Sequence, residues 1–199
     1  MWPGVAGFAE IAPPQSDYFP LVTCLAIKFV LSLLLGLTLL TLVAMLTAAG
    51  EEIGWRGYML TRLVDARLPR PVLLSGLIWA AWHLPLVLSG QYAAGPWPIV
   101  SSLLFTLVVV LFAHVLARLR LESGSIWPAI VCHAAWNAVV VSTFAAFTSG
   151  AMAGLWTGES GILTLLVMVV VVAPLVRGTR KLRKAPHEAP FAETRMTAL

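Results

Sequence analysis

Residues 29–49 read FVLSLLLGLTLLTLVAMLTAA, a run of 21 residues without a charged side chain. About 20 apolar helical residues cross a bilayer core roughly 30 Å thick, so this run is long enough to span a membrane. The rest of the chain has the same character, because 59% of its 199 residues are hydrophobic and only 11% are charged. An ordinary soluble domain carries about 25% charged residues. The composition therefore excludes a water-soluble globular protein.

Further apolar segments follow the first, and the sequence predicts an all-α protein, a polytopic transmembrane helical bundle of about five spans. The predicted spans are residues 21–49, 71–88, 99–116, 126–148 and 161–176. No soluble domain fits between them, and no internal repeat is visible. The predicted organisation is an N-terminal extracytoplasmic segment, the bundle with its catalytic region, and a basic, disordered cytoplasmic tail. Their bounds are residues 1–20, 21–176 (catalytic region at about 44–141) and 177–199.

The basic residues predict the orientation of this multi-pass cell-membrane protein. They flank the first and third connections and the C-terminal exit, whereas the alternate connections carry none. With five spans, the positive-inside rule places the N-terminus outside and the C-terminus in the cytoplasm. The net charge of +4 does not indicate nucleic acid, because no basic patch with interleaved aromatic residues is present. The expected partner of the basic residues is the lipid bilayer.

Ionisable side chains at membrane depth are candidates for function, because they are costly there. The chain has several at or near the predicted spans: Glu51, Glu52, Arg56, His83, His114 and His133. At about 1.5 Å per helical residue, Glu51 lies roughly 17 Å above the arginine at the cytoplasmic end of its helix. His83 and His133 lie at most roughly 20 Å above theirs. Three helices therefore bring these three groups to one level, whereas His114 is expected to be interfacial.

Helical spacing separates the two glutamates. Residues four apart share a face, so Arg56 can neutralise Glu52, and Asn137 lies on the same face as His133. Glu51 points about 100° away from Glu52 around the helix. It is therefore free to face a water-containing cavity with the histidines, and it is the preferred base.

Three short motifs carry these residues in order along the chain: EEIGWR at 51–56, WAAWH at 79–83 and HAAWN at 133–137. They resemble the EExxxR, FxxxH and HxxxN signatures of the CPBP family of intramembrane proteases, the CAAX prenyl protease and bacteriocin-processing (Abi-like) group. The resemblance extends over residues 44–141, roughly half of the chain. One departure is Trp79, which stands where the family usually has Phe.

The resemblance implies an intramembrane endopeptidase that hydrolyses a membrane-associated peptide or protein, or a prenylated CAAX-type peptide. It implies that Glu51 and His83 activate water, and that His133 and Asn137 stabilise the developing oxyanion. Glu52 and Arg56 would support them. The residue types agree with these roles, since a carboxylate can act as a general base and imidazole and amide groups can donate to an oxyanion.

The sequence does not decide whether a metal takes part. One carboxylate and two imidazoles are also a ligand set of catalytic zinc sites. Glu51, His83 and His133 are therefore candidate ligands for a divalent metal such as Zn²⁺. A metal-free glutamate base uses the same residues, and both versions stay open.

Other kinds of membrane site fit the sequence less well. Aspartyl intramembrane proteases need two membrane-embedded aspartates, and Asp17 and Asp65 both lie outside the predicted spans. The GESG stretch at 158–161 hints at a rhomboid-like serine enzyme, but only the tail residue His187 follows it, and HExxH is absent. The alternative function is a non-catalytic membrane immunity or scaffold protein with the same fold. A small transporter would need inverted repeats or broken helix pairs, which are absent.

The charge pattern predicts which side of the membrane the C-terminus occupies. In a bacterial host, alkaline phosphatase fused after residue 199 should stay inactive, because that enzyme folds only outside the cytoplasm. Green fluorescent protein at the same position should fluoresce. An active phosphatase fusion would contradict the orientation.

Overall fold

The structure is a computed structural model that describes the backbone of residues 18–182 and the side chains of residues 19–175. All regular structure within this range is helical. The α-helices are α1 (Tyr18–Leu35), α2 (Thr41–Glu52), α3 (Leu60–Asp65), α4 (Pro71–Leu88), α5 (Pro98–Ser123), α6 (Trp127–Trp136), α7 (Ala153–Trp156) and α8 (Ile162–Leu182). Three π-helical segments continue the helices that precede them: Gly36–Leu40, Ile53–Met59 and Asn137–Phe144.

The predicted all-α membrane bundle is confirmed. Within the described residues, four helices are long and apolar enough to cross a membrane: Phe19–Asp65, Pro71–Leu88, Pro98–Ser123 and Trp127–Phe144. A shorter apolar helix, Ile162–Leu175, lies where the fifth span was predicted. Most of the predicted N-terminal segment and of the predicted tail lies outside the described residues, so their assignments stay predictions.

The first span continues well beyond its predicted end at residue 49. It runs without a break through the second π segment to Asp65. A helix ends where its backbone cannot continue, and here Arg67 takes a positive φ of 55° just before Pro69. The polar EEIGWR stretch is therefore inside a continuous helix, and both glutamates have fixed directions relative to the bundle.

The central helix is α5, which packs against α4, α6 and α8. Its buried residues recur at helical spacing: Ser101, Ser102, Phe105, Val108, Val109, Phe112, Ala113, Leu116 and Ala117. The outer surface is strongly apolar, since Phe19, Leu46 and Val170 are 81%, 80% and 73% exposed. Large exposed apolar surfaces mark contact with membranes or partners, and here they fit contact with hydrocarbon.

A glycine sets the close contact between α4 and α5. A Cβ atom at Gly76 would lie 3.0 Å from the Cβ of Ala113 and 3.2 Å from the Cα of Val110. Small residues at helix interfaces in membranes allow such an approach. Since His83 follows Gly76 by two turns on the same helix, this contact also fixes the position of a predicted site residue.

Replacing Gly76 should therefore loosen the bundle. Gly76→Leu forces extra volume into the α4–α5 contact, and overpacking of this kind costs about 1–3 kcal/mol. The midpoint of thermal unfolding in detergent should fall by several degrees. The matched control is Gly50→Leu, since a Cβ at Gly50 has no atom within 4 Å. Equal midpoints for the two variants would contradict the packing described.

Candidate active site

Four of the six predicted site residues line one small cavity inside the bundle: Glu51, His83, His133 and Asn137. The cavity volume is about 30 Å³, which is enough to hold water, since a water molecule needs about 10–15 Å³ of such space. Its apolar wall comes mainly from α5, through Phe105, Val108, Val109 and Phe112. Polar groups from three helices thus face a space for water inside a low-dielectric shell, where electrostatic interactions are strong.

The other two predicted residues, Glu52 and Arg56, lie behind this cavity. Glu52 Oε1 accepts a hydrogen bond from Arg56 Nη1 at 2.7 Å, and His133 Nδ1 lies 2.8 Å from the same oxygen. Glu52 is fully buried and Arg56 is 1% exposed. A buried carboxylate needs such partners. The arrangement joins the first membrane helix to α6 through one oxygen atom.

Trp79 contacts both Glu51 and the Arg56 that pairs with Glu52. Its indole Nε1 donates to Glu51 Oε2 at 3.0 Å, while the Arg56 guanidinium lies over its ring, 4.0 Å from the centroid. Sequence reasoning treated Trp79 as a change of aromatic size relative to Phe. The structure shows more than size, because a phenyl ring has no N–H group to hold the Glu51 carboxylate.

The hydrogen bond of His83 fixes which of its nitrogens can take a proton. His83 Nδ1 lies 3.0 Å from the carbonyl oxygen of Trp79. A carbonyl oxygen only accepts, so Nδ1 carries the hydrogen and Nε2 of the neutral ring is an acceptor. His83 can therefore receive a proton at Nε2.

The same argument applies to His133 with a different result. Its Nδ1 faces Glu52 Oε1, and an ionised carboxylate only accepts hydrogen bonds. The Nδ1 atom therefore donates, and Nε2 becomes a donor only when the ring is an imidazolium. A role for His133 in binding an oxyanion requires that charged form.

A further ionisable side chain, Glu159, also lines the cavity. It is 9% exposed, and its Oε1 accepts from Trp136 Nε1 at 2.6 Å. Its Oε2 is buried and makes no hydrogen bond of good geometry among the described residues, although the Tyr92 hydroxyl is close enough to act on the carboxyl group. Burial raises the pKa of the Glu159 carboxyl, and Tyr92, Trp136 and the two cavity histidines, where they are protonated, act in the opposite direction.

The turn that carries Glu159 is held in place by its neighbours. Gly158 takes a φ of +76°, which a residue with a Cβ rarely adopts. Ser160 Oγ donates to the carbonyl oxygen of Ala93 at 2.7 Å, which ties the turn to the connection between α4 and α5. Sequence reasoning considered this stretch only as a serine motif. The sequence contains one sign that Glu159 is a candidate site residue, because it is the only acidic residue between Glu122 and Glu188.

The aromatic and histidine residues around the motifs have different positions. Trp79 and Trp136 line the cavity, whereas Trp82 is 57% exposed and packs with its ring centroid 4.7 Å from that of His83. His114 Nδ1 lies 2.7 Å from the carbonyl oxygen of Val110, one turn earlier in its own helix. His114 is not among the residues that line the cavity.

The candidate metal ligands share the cavity wall without forming a metal-binding set. Within the described residues, no group of three His, Cys, Asp or Glu side chains is placed to hold a metal ion. In the two histidines, Nδ1 is bound to a carbonyl or a carboxylate oxygen, an arrangement also common in histidines that bind zinc through Nε2. Glu51, His83 and His133 therefore stay candidate ligands by residue type, although their present placement does not form a three-ligand set.

Two larger recesses adjoin the cavity. One has a volume of about 280 Å³ and shares Tyr92 and Glu159 with it. The other, of about 430 Å³, shares Trp136 and is lined mostly by apolar side chains, among them Phe29, Phe144 and Val167. The small polar cavity thus shares wall residues with a mixed recess and with an apolar one.

The family model for type II CAAX prenyl endopeptidase Rce1-like proteins matches residues 23–139, more than half of the chain. This range contains the three motifs and ends before Glu159. No curated protein and no solved structure matches the chain.

The two adjacent glutamates should respond differently to the loss of charge. Glu52→Gln leaves Arg56 buried without its counterion, a change that costs about 3–5 kcal/mol, and should strongly lower the thermal midpoint and the yield of folded protein. Glu51→Gln keeps an oxygen that can accept a hydrogen bond from Trp79. It should leave the thermal midpoint and the yield of folded protein nearly unchanged. A Glu52→Gln protein as stable as Glu51→Gln would contradict the anchoring role of Glu52.

Proposed function

Since this chain belongs to the type II CAAX prenyl endopeptidase Rce1-like family, we propose that it hydrolyses a peptide bond of a prenylated or other membrane-associated peptide with a water molecule activated by Glu51 and His83. The single observation that carries this proposal is the cavity in which Glu51, His83, His133 and Asn137 meet around space for water. A protease of this family needs a peptide substrate, and the multi-pass bundle keeps the reaction within the membrane.

Glu51 and His83 supply the two proton acceptors that water activation requires. The Trp79 N–H holds one oxygen of Glu51, which orients the carboxylate toward the cavity. His83 presents Nε2 as an acceptor because its Nδ1 is bound to a backbone carbonyl. General-base catalysis by a positioned group contributes about 10²–10⁴ in rate. Glu51 takes the proton, and His83 positions the attacking oxygen.

His133 and Asn137 then bind the oxyanion of the tetrahedral intermediate. The side-chain amide of Asn137 is an N–H donor, and His133 donates from Nε2 as an imidazolium. Charge balance supports that form. Arg56 neutralises Glu52, so a positive His133 is left to balance a negative Glu51 carboxylate in the same cavity wall. Donors placed in advance for a developing negative charge lower the barrier by about 2.7–4 kcal/mol each.

The recesses around the cavity suit a substrate with an apolar chain. The 430 Å³ recess is apolar and meets the cavity at Trp136. Ligand sites commonly combine an apolar surface with a few convergent polar groups. We propose that the lipid chain of the substrate lies in this recess while its peptide bond reaches the polar cavity. The cavity of about 30 Å³ is too small for a peptide, so we propose that the surrounding helices separate when the peptide enters.

Purified protein in liposomes should cleave a prenylated CAAX-type peptide, as measured by mass spectrometry of the products. Glu51→Gln, His83→Ala and His133→Ala should each lower kcat/KM by about 10²–10⁴ because each removes a group that faces the reacting atoms. Asn137→Ala should lower it by about 10²–10³ through the loss of one oxyanion donor.

The matched control is Glu122→Gln. Glu122 is paired with Arg118 at 2.7 Å but is 51% exposed. It is not among the residues that line the cavity. This variant should keep full activity. Cleavage by Glu51→Gln at the wild-type rate would overturn the mechanism, and absence of cleavage by the wild type would overturn the endopeptidase function.

A further inference from the structure

We propose that Glu159 is the general acid of the reaction and gives its proton to the leaving amine, a role that rests on the proposed endopeptidase function. Glu159 is outside the range matched by the family model and outside the three motifs. It nevertheless lines the same cavity as Glu51, His83, His133 and Asn137. The site therefore contains two carboxyl groups around one space for water.

The surroundings of Glu159 favour the neutral acid. Its side chain is buried, and one oxygen accepts from Trp136 at 2.6 Å. The other oxygen makes no hydrogen bond of good geometry among the described residues, and the donor beside it is the Tyr92 hydroxyl. A buried carboxylate with so few partners is costly, whereas a carboxylic acid carries no charge and can donate. The raised pKa of Glu159 also favours the neutral acid.

The charged and titratable groups that face Glu159 come from every neighbouring element. They are Glu51 from α2, His83 from α4, Tyr92 from the connection between α4 and α5, and His133 from α6. The histidines favour the ionised form of Glu159, and Glu51 favours the protonated form. Two carboxyl groups that share a site cannot both ionise easily. We assign the base to Glu51 and the acid to Glu159, because Glu51 is only half-buried whereas Glu159 is buried, and a charge costs less where water can reach it.

One carboxyl group takes a proton during the reaction and the other gives one. The Glu51 carboxylate takes a proton from water as the water oxygen bonds to the carbonyl carbon, giving a tetrahedral oxyanion. When that intermediate collapses, the carbon–nitrogen bond breaks, and its electron pair goes to nitrogen, which takes the proton of Glu159. A proton then passes from Glu51 to Glu159 and restores both groups. The net change is the addition of one water to the peptide.

The position of Glu159 also suits a leaving group. Glu159 and Tyr92 belong both to the cavity and to the adjoining recess of about 280 Å³. A fragment that departs into this recess has its new amine beside Glu159 as it leaves. The turn that places Glu159 there is fixed by Ser160 and the carbonyl oxygen of Ala93.

The test compares two leaving groups in liposomes. One substrate is a prenylated CAAX-type peptide with its normal amide. In the other, an ester of an electron-poor phenol replaces the scissile amide, because a phenolate leaves without a proton. Glu159→Gln should lower kcat/KM by about 10²–10⁴ for the amide and by less than about 10-fold for the ester. Glu159→Asp should recover part of the amide activity, and Glu51→Gln should lose both activities.

Equal losses on the two substrates, or an amide rate unchanged by Glu159→Gln, would overturn the role of Glu159 while leaving the endopeptidase function standing. A wild-type protein that cleaves neither substrate would instead overturn that function. If Glu159→Gln does not fold, the wild-type pH profiles decide. The amide rate should fall more steeply at alkaline pH than the ester rate, because loss of the His133 proton lowers both rates and loss of the Glu159 proton lowers only the amide rate. The same alkaline fall for both substrates would contradict the proposal.

Discussion

The site depends on one buried oxygen atom, Glu52 Oε1, which binds both Arg56 and His133. A buried ion pair is costly to form, and its best-attested use is to specify one arrangement among several. Here it connects the first membrane helix to α6, and it fixes the direction in which the His133 ring faces the cavity. Arg56 and His133 are the partners of Glu52, whereas the neighbouring Glu51 binds Trp79 and faces the cavity. Two adjacent glutamates thus have different surroundings.

Much of this could be predicted from the sequence. The length and apolar character of the spans determine an all-helical membrane bundle, and the second predicted span agrees with α4 at both ends. The match of the family model to residues 23–139 confirms the resemblance that the three motifs carry. Helical spacing also predicted that Arg56 would neutralise Glu52 and that Glu51 would face away from this pair. These successes share one cause, since spacing within a continuous helix fixes the relative directions of side chains.

The features that sequence reasoning missed depend on contacts between distant segments. Helix spacing cannot show that Trp79 donates to Glu51 across 28 positions, or that Glu52 reaches His133 across 81. Glu159 reaches the cavity only because its turn is tied to the α4–α5 connection. The first span was predicted to end at residue 49 because the apolar run ends there. The helix instead continues to Asp65, with Glu52 and Arg56 paired inside the bundle.

The most direct test of the account is an experimental structure of the protein with a phosphinic peptide, whose tetrahedral phosphorus carries two oxygens like those of the hydrolytic intermediate. One phosphinyl oxygen should lie within hydrogen-bond distance of His133 Nε2 and the Asn137 amide, and the other within that distance of Glu51. A phosphinyl group bound elsewhere, with the polar cavity unchanged, would contradict the claim that these residues hydrolyse the peptide bond.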